Sequence, residues 1–436
     1  MPESADLSIE ARWILPMDAP EVLLEDHAIL VRGGRILEIL PQEKALQQHP
    51  RARRVMRHQH LIMPGLVNGQ VLASQALLRG RLPAEDRAAA PRTAESRTTG
   101  RRADDERFMH DGALLAIATM LRNGVTCFAD TSLFPEVSAR AVAEHGLRAV
   151  IGLPVRDEAS AWASDAGECL GKALSVRDEF KAHPRITCAF ALPEAASLAE
   201  QTLRRVRTLA DELDSLVIMP LHASQDEVSR CIGQHGERPL QRAERLGFLT
   251  PQLDAQHMNS LTPEDLELAR RGGIGITLFP EGAWSRLGTP PPLQDWLSTG
   301  LCVGLGTDVP SMATSPDPWL QLRLACLGSR RAADLTAWDA LCLLTRGAAG
   351  ALGIGDHCGT LESGKWADLC CIDLDHPALQ PLSDPLAQLL QGGSGDRVSD
   401  VWVAGQALLE QGRFTRLDWA ALRARAQDWL LRTGAD

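Results

Sequence analysis

Residues 111–130, DGALLAIATMLRNGVTCFAD, show the pattern from which the fold follows. A helical run ends at Arg122, Gly124 interrupts it, and the apolar run Val125–Asp130 predicts a buried strand. The same order recurs along the middle of the chain, in Ala139–His145 with Arg148–Leu153, Leu203–Leu213 with Leu216–Leu221, Pro263–Arg271 with Ile274–Phe279, and Leu293–Thr299 with Cys302–Leu305. These repeated units predict an α/β protein with a closed, TIM-like (β/α)8 barrel. An open doubly wound sheet is the alternative, because periodicity does not distinguish the two.

Short strands with tight turns occur at both ends of the chain. Near the N-terminus, Ala28–Val31 and Ile36–Leu40 flank a Gly-Gly turn, which is typical of a β-hairpin. Strand patterns return at Asp368–Leu374 and Val398–Val403. We therefore predict a small composite β-sandwich from residues 1–63 and 356–436, which includes a C-terminal helix over Leu417–Leu431, with the barrel at residues 64–355.

One segment departs from the alternating pattern. Leu82–Glu106 is rich in Arg, Ala, Glu and Thr and lacks apolar periodicity, so we predict an exposed loop after the first barrel strand. An arginine cluster there, Arg97, Arg101 and Arg102, is interpreted as a solvated charged surface, with an anion site as the alternative.

The bulk composition restricts the function classes. The 436 residues carry a formal net charge of −11, which argues against nucleic acid or an anionic membrane as a partner. The first ten residues, MPESADLSIE, do not resemble a signal peptide, and no apolar run is long enough to span a bilayer. The ten cysteines include no CxxC motif and indicate reduced thiols. We expect a soluble, cytoplasmic protein.

Several segments, in the same order along the chain, resemble the amidohydrolase superfamily. The resemblance is to its aminohydrolase branch, which includes methylthioadenosine/S-adenosylhomocysteine deaminases and triazine chlorohydrolases. The matching segments are Leu61–Asn68, Leu77–Gly80, residues 111–130, Gln234–Pro239, His257–Met258, Leu305–Asp308 and Gly359–Leu369. The resemblance spans about residues 10–431 and implies a barrel with a β-sandwich. It also implies hydrolysis of an amino or halide substituent on a heterocycle, through a metal-bound water and a glutamate.

The positions that hold the family's metal carry other residues here. Two strand-1 histidines fall on Gln70 and Leu72, the strand-5 histidine on Pro220, the catalytic glutamate on Ala223, and a further histidine on Leu278. His257 and Asp308 are retained, and only Asp308 is an expected metal ligand. Because zinc sites need about three or four protein ligands, the sequence predicts no bound cofactor, although active relatives use zinc or iron.

The candidate site residues follow from this resemblance. His257 and Asp308 are the candidate catalytic residues, and Gln70, His222 and Glu281 are candidates for lining the substrate pocket. His222 lies two residues beyond Pro220, so a shifted metal site of His222, His257 and Asp308 is a further hypothesis. For each of these side chains, local hydrogen bonding at a strand end is the alternative.

Two functions remain open from the sequence. One is a metal-free relative without deaminase activity, which binds a small heterocycle or acts as a partner subunit. The other is a hydrolase with a rewired site that acts on a C–N bond of a cyclic substrate. The sequence does not decide between a monomer and a homo-oligomer.

Overall fold

A computed structural model of the chain describes residues 4–20, 22–79, 106–308, 315–329, 335–392 and 395–433. Its strands form two eight-stranded sheets. The strands are β1 (Leu7–Ile14), β2 (Leu24–Arg32), β3 (Arg35–Pro41), β4 (Arg53–Pro64), β5 (Leu66–Val71), β6 (Val125–Asp130), β7 (Arg148–Pro154), β8 (Ile186–Ala191), β9 (Val217–Leu221), β10 (Leu253–His257), β11 (Gly275–Leu278), β12 (Val303–Leu305), β13 (Leu369–Asp373), β14 (Val398–Val403), β15 (Gln406–Glu410) and β16 (Arg413–Phe414). Of the predicted loop, only Glu106 lies within the described residues, and the arginine cluster lies outside them.

Helices pack around the second sheet and at the chain ends. They are α1 (Gln42–Gln48), α2 (Glu106–Arg122), α3 (Pro135–His145), α4 (Ala166–Phe180), α5 (Glu200–Leu213), α6 (Gln225–His235), α7 (Pro239–Arg245), α8 (Pro263–Gly272), α9 (Pro280–Leu287), α10 (Leu293–Ser298), α11 (Pro318–Gly328), α12 (Ala337–Cys342), α13 (Arg346–Ala351), α14 (Pro385–Gly392) and α15 (Trp419–Thr433). None of the described helices combines the length and the apolar character needed to cross a bilayer.

Strands β5 to β12 form a parallel barrel in sequence order. At its seam the backbone N–H of Thr307, just beyond β12, donates to the carbonyl of Gln70 on β5 at 3.0 Å. The sheet therefore curls round on itself, and the prediction of a (β/α)8 barrel is confirmed over an open doubly wound sheet. Helix α13 closes the bottom of the barrel, where Ala348 and Leu352 pack against inward-facing strand residues.

The stretch 111–130 forms the predicted helix and strand, as the end of α2 and the whole of β6. Gly124 between them has φ +82°, a left-handed conformation that glycine adopts without a steric penalty. A Cβ atom there would lie 3.2 Å from the side chain of Cys370 and 3.3 Å from that of Val398. The glycine thus allows both the chain reversal and the close approach of the other sheet.

The other sheet joins the two ends of the chain, as predicted. Its order is β16-β15-β14-β13-β4-β1-β2-β3, and β13 pairs antiparallel with β4. The predicted hairpin is β2–β3, whose turn contains Gly33 and Gly34, both with positive φ. The eight strands form one continuous hydrogen-bonded sheet, and the exact domain boundaries stay a prediction.

Candidate active site at the barrel mouth

The candidate residues come from segments at the carboxyl ends of the barrel strands, where barrel enzymes place their chemistry. Gln70 is the penultimate residue of β5, His257 ends β10, and Asp308 follows β12. His222 follows β9, and Glu281 lies in the first turn of α9, directly after β11.

Arg286 on α9 contacts both retained family positions. Its Nη2 lies 3.3 Å from Nδ1 of His257, and its Nη1 lies 3.7 Å from Oδ2 of Asp308. The side chains of Arg286 and Asp308 are only 16% and 8% exposed. A permanently charged guanidinium is therefore held next to the imidazole and the carboxylate. The sequence pattern did not indicate Arg286, because an arginine on a surface helix is ordinary.

His257 is neutral in this environment. Burial lowers its pKa well below the ordinary value, and the positive charge of Arg286 lowers it further. Because Arg286 can only donate, Nδ1 of His257 accepts and the ring proton lies on Nε2. The ring also packs against Phe279, with centroids 4.6 Å apart.

The backbone of Gln70 hydrogen-bonds across the point where the barrel closes, whereas its side-chain oxygen has no partner among the described residues. Its backbone carbonyl accepts from the N–H groups of Thr307 and Asp308, and its Nε2 donates to Oγ1 of Thr131 at 2.8 Å. Its Oε1 atom is buried and has no hydrogen-bond partner among the described residues. A buried acceptor of this kind is costly unless a ligand or water satisfies it.

His222 requires a correction to the sequence-based hypothesis. The side chain is fully buried, its Nδ1 donates to the carbonyl of Ser260 at 2.8 Å, and its Nε2 accepts from the N–H of Leu240 at 3.1 Å. Both ring nitrogens are therefore used within the protein. Nor do His222, His257 and Asp308 bring their ligand atoms together, since the only such group among the described residues lies elsewhere. The structure does not assemble the shifted metal site.

Glu281 is bound to a neighbouring helix. Its backbone N–H donates to Oε1 of Gln321 on α11 at 3.0 Å, and Nε2 of Gln321 donates back to Oε2 of Glu281 at 3.0 Å. Gln321 is buried. This reciprocal pair fixes the N-terminus of α9, and so helps to position Arg286 one and a half turns later.

Two buried carboxyl groups were not indicated by the sequence. Asp254 lies inside the barrel, where Oγ1 of Thr277 donates to it at 2.8 Å, and burial raises its pKa to about 7. Glu227 on α6 accepts from the N–H of Ala223, and burial raises its pKa to about 8. Strand alternation marks Asp254 as inward-facing only when barrel closure is known, and it does not apply to Glu227, which lies on a helix.

The residues present do not fit the family's metal. Of the positions that the resemblance assigns to metal ligands, two carry side chains without any donor atom: Leu72 and Pro220. A neutral amide stands at Gln70, and Nδ1 of His257 and Oδ2 of Asp308 both face the Arg286 cation. A metal ion at this point would compete with the guanidinium for the ring nitrogen of His257 and the carboxylate of Asp308.

Known proteins resemble the chain over its whole length. The amidohydrolase family model matches residues 61–408. A 5-methylthioadenosine/S-adenosylhomocysteine deaminase from Teredinibacter turnerae is 35% identical over 438 residues, which cover 99% of this chain and 98% of the relative. A counterpart from Nitratidesulfovibrio vulgaris strain Miyazaki F is 31% identical, with 99% of each chain covered.

Solved structures agree with this relationship. A zinc-bound adenosine deaminase from Xanthomonas campestris superposes with a TM-score of 0.93 at 34% identity, with 100% of both chains covered. The zinc complex of atrazine chlorohydrolase TrzN from Arthrobacter aurescens gives a TM-score of 0.88 at 21% identity, over 97% of this chain and 99% of its own, and shares the fold. On the match of the family model, the whole-length sequence identity and the shared fold together, this chain belongs to the amidohydrolase family.

Proposed function

We propose that this protein does not carry out metal-dependent deamination and that its barrel mouth binds a small, uncharged heterocycle. Family membership and the deaminase relatives support C–N bond hydrolysis as the general class of the fold. The observation that carries the proposal is the guanidinium of Arg286, which contacts both His257 and Asp308. The positive charge of Arg286 offsets the negative charge of Asp308, which is the family position expected to bind a metal.

The charges at the mouth favour an uncharged ligand. The positive charge of Arg286 is offset by Asp308, and His257 is neutral. The buried Oε1 of Gln70 lacks a hydrogen-bond donor. An N–H group of an amino-substituted ring would satisfy that acceptor.

A hydrolase with a rewired site is the second candidate. It is favoured by the 35% identity to a deaminase along almost the whole chain. In that case the bond cleaved would be a C–N bond of a cyclic substrate, without the family's metal-bound water.

An ammonia-release screen separates the two candidates. The full-length protein is supplied in turn with zinc, iron or manganese and incubated with aminopurines, aminopyrimidines and aminotriazines. The Teredinibacter relative serves as the positive control. We expect no turnover above the uncatalysed rate under any metal condition, and ammonia release at normal turnover by this protein would overturn the proposal.

Binding is tested by calorimetry with the same amino-heterocycles in the presence of a chelator. We expect saturable binding, weakened about 2- to 10-fold in Gln70→Leu, as for the loss of one neutral hydrogen bond. Gln201→Leu, on the exposed face of α5, is the matched control and should bind as the wild type does. Equal affinity of Gln70→Leu and wild type would contradict the proposed position of the ligand.

A further inference from the structure

Three adjacent strands of the terminal sheet bring a histidine, a cysteine and an aspartate to one face. Cys371 on β13 lies directly opposite Asp400 on β14. On the other side, His60 on β4 lies opposite Asp373, two residues along from Cys371. Side chains two apart on a strand share a face, so His60, Cys371 and Asp400 lie on the same side of the sheet.

Their ligand atoms are close together. A ring nitrogen of His60, the sulfur of Cys371 and a carboxylate oxygen of Asp400 all lie within 4.8 Å of one another, the only such group of three in the part of the chain described. Ligands of a tetrahedral zinc ion lie about 3.5 Å apart, given bond lengths of about 2.0–2.3 Å. A shift of roughly an ångström per side chain would therefore close the group around an ion.

The histidine has a nitrogen to offer. Nδ1 of His60 is buried and has no hydrogen-bond partner among the described residues. Buried polar atoms normally have partners, and an imidazole nitrogen without one is a natural metal ligand. His60 as a whole is only partly buried, so the group lies near the protein surface.

The carboxylate of Asp400 accepts several hydrogen bonds, but one of them can be given up to make room for a metal ion. Its Oδ2 accepts from Nε of Arg57 at 2.9 Å and from Oγ of Ser399 at 2.6 Å, and Gln411 donates to Oδ1. The Ser399 hydroxyl has a second acceptor, the carbonyl of Cys371, at 3.4 Å. Rotation toward that carbonyl would leave Oδ2 with Nε of Arg57 as its one donor among these bonds, and so free a lone pair for an ion.

We propose that His60, Cys371 and Asp400 bind a thiophilic divalent cation of the zinc class in the terminal sheet. The donor set of nitrogen, sulfur and oxygen suits zinc or cobalt and not magnesium or calcium. On binding, the Cys371 thiol loses its proton to solvent and a sulfur–metal bond forms, while water supplies the fourth ligand. The guanidinium of Arg57 opposes the ion, so the site is weaker than a four-ligand structural zinc site.

The site would link the two ends of the chain. β4 belongs to the N-terminal segment, whereas β13 and β14 belong to the C-terminal segment. An ion across them would act on the stability of the sheet, independently of any chemistry at the barrel mouth.

The test is a cobalt titration of the chelator-treated full-length protein. We expect one equivalent of Co²⁺ to produce a thiolate-to-cobalt charge-transfer band. Cys371→Ser should abolish the band, and His60→Ala should weaken cobalt binding by at least about 100-fold, as expected for a lost ligand. The absence of the band in the wild type, or its persistence in Cys371→Ser, would overturn the inference.

Matched controls lie on the same strands. Cys370 is also buried but packs in the core on the opposite face of β13, and His58 is an exposed histidine on β4. Cys370→Ser and His58→Ala should titrate as the wild type does, and loss of the band in either would contradict the assignment. Asp308→Asn should leave the band unchanged. This variant separates the sheet site from a metal at the barrel mouth, which would instead contradict the proposed function.

Discussion

Arg286 determines the charge balance at the retained family positions. It contributes a fixed positive charge within 3.7 Å of Asp308 and a donor to His257. Because arginine stays protonated at any ordinary pH, the site is not switched by moderate changes in acidity. The consequences of removing this single side chain are therefore specific to His257 and Asp308.

Arg286→Met should raise the pKa of His257, because the positive charge that lowers it is removed. Burial still acts, so the pKa should remain below the ordinary value. The variant should also lose about 1–3 kcal/mol of stability, since Asp308 loses a partner in a buried setting. The titration is followed by NMR and the stability by urea unfolding.

Arg271→Ala is the control for this variant, because its pair with Glu244 is about half exposed and worth little. An unchanged titration of His257 in Arg286→Met would show that the contact with Arg286 does not operate in solution.

The buried carboxyl group of Asp254 should make the free energy of unfolding depend on pH. Burial raises its pKa to about 7, whereas an aspartate in the unfolded chain titrates near about 3.9. Between these values the folded state binds more protons, so stability falls as the pH rises through the window from about 4 to 7. Asp254→Asn should therefore be stabilised relative to the wild type at pH 8 more than at pH 4, as measured by urea unfolding.

Glu212→Gln, on the exposed face of α5, is the matched control and should change stability little at either pH. The raised pKa of Asp254 would be contradicted if Asp254→Asn and the wild type differed in free energy of unfolding by the same amount at both pH values.

At the level of elements, His222 connects the end of β9 to the starts of two helices. It bonds Ser260, which precedes α8, and Leu240 on α7. Asp265 on α8 lies 3.8 Å away and caps its own helix through Thr262. His222 is thus part of the framework that holds the strand ends.

His222→Ala should destabilise the protein by about 1–3 kcal/mol for each buried group left unpaired, while cobalt binding at the terminal sheet stays unchanged. The unfolding midpoint in urea is the measurement. His235→Ala, at the exposed end of α6, should change the free energy of unfolding by less than about 0.5 kcal/mol. An unchanged midpoint for His222→Ala would refute the structural role.

The elements themselves were largely predictable. The segments 139–145 and 203–213 lie within α3 and α5, because apolar periodicity and helix-ending residues are local properties. Strand β8 and helix α4 lie between the predicted units and were not assigned. The helix α4 begins with Asp165 as its N-cap, a signal available in the sequence.

At the level of the whole molecule, one buried ion pair connects the barrel to the terminal sheet. Nε of Arg148 on β7 lies 2.7 Å from Oδ2 of Asp368, and the two side chains are 7% and 1% exposed. Asp368 also accepts from the N–H of Ala404 at 2.7 Å. Because the pair is shielded from water, the loss of one partner leaves an uncompensated buried charge.

Asp368→Asn should therefore cost about 3–5 kcal/mol of unfolding free energy. Urea unfolding followed by tryptophan fluorescence and circular dichroism tests whether the barrel and the terminal sheet still unfold together. Glu267→Gln, in an exposed pair with Arg270, is the control and should change stability by less than about 1 kcal/mol. A similarly small effect of Asp368→Asn would show that the two sheets are not coupled through this pair.

The sequence by itself determined most of the alternating helices and strands of the barrel and the resemblance to the amidohydrolase family, in which Gln70, Leu72 and Pro220 stand at positions that the resemblance assigns to metal ligands. These properties depend on side-chain type and on near neighbours. The tertiary structure alone decided that His222 is fully hydrogen-bonded and that Arg286 reaches both His257 and Asp308. Those contacts join residues that lie 18 to 38 positions apart in the chain, so the distances between them depend on how the barrel folds.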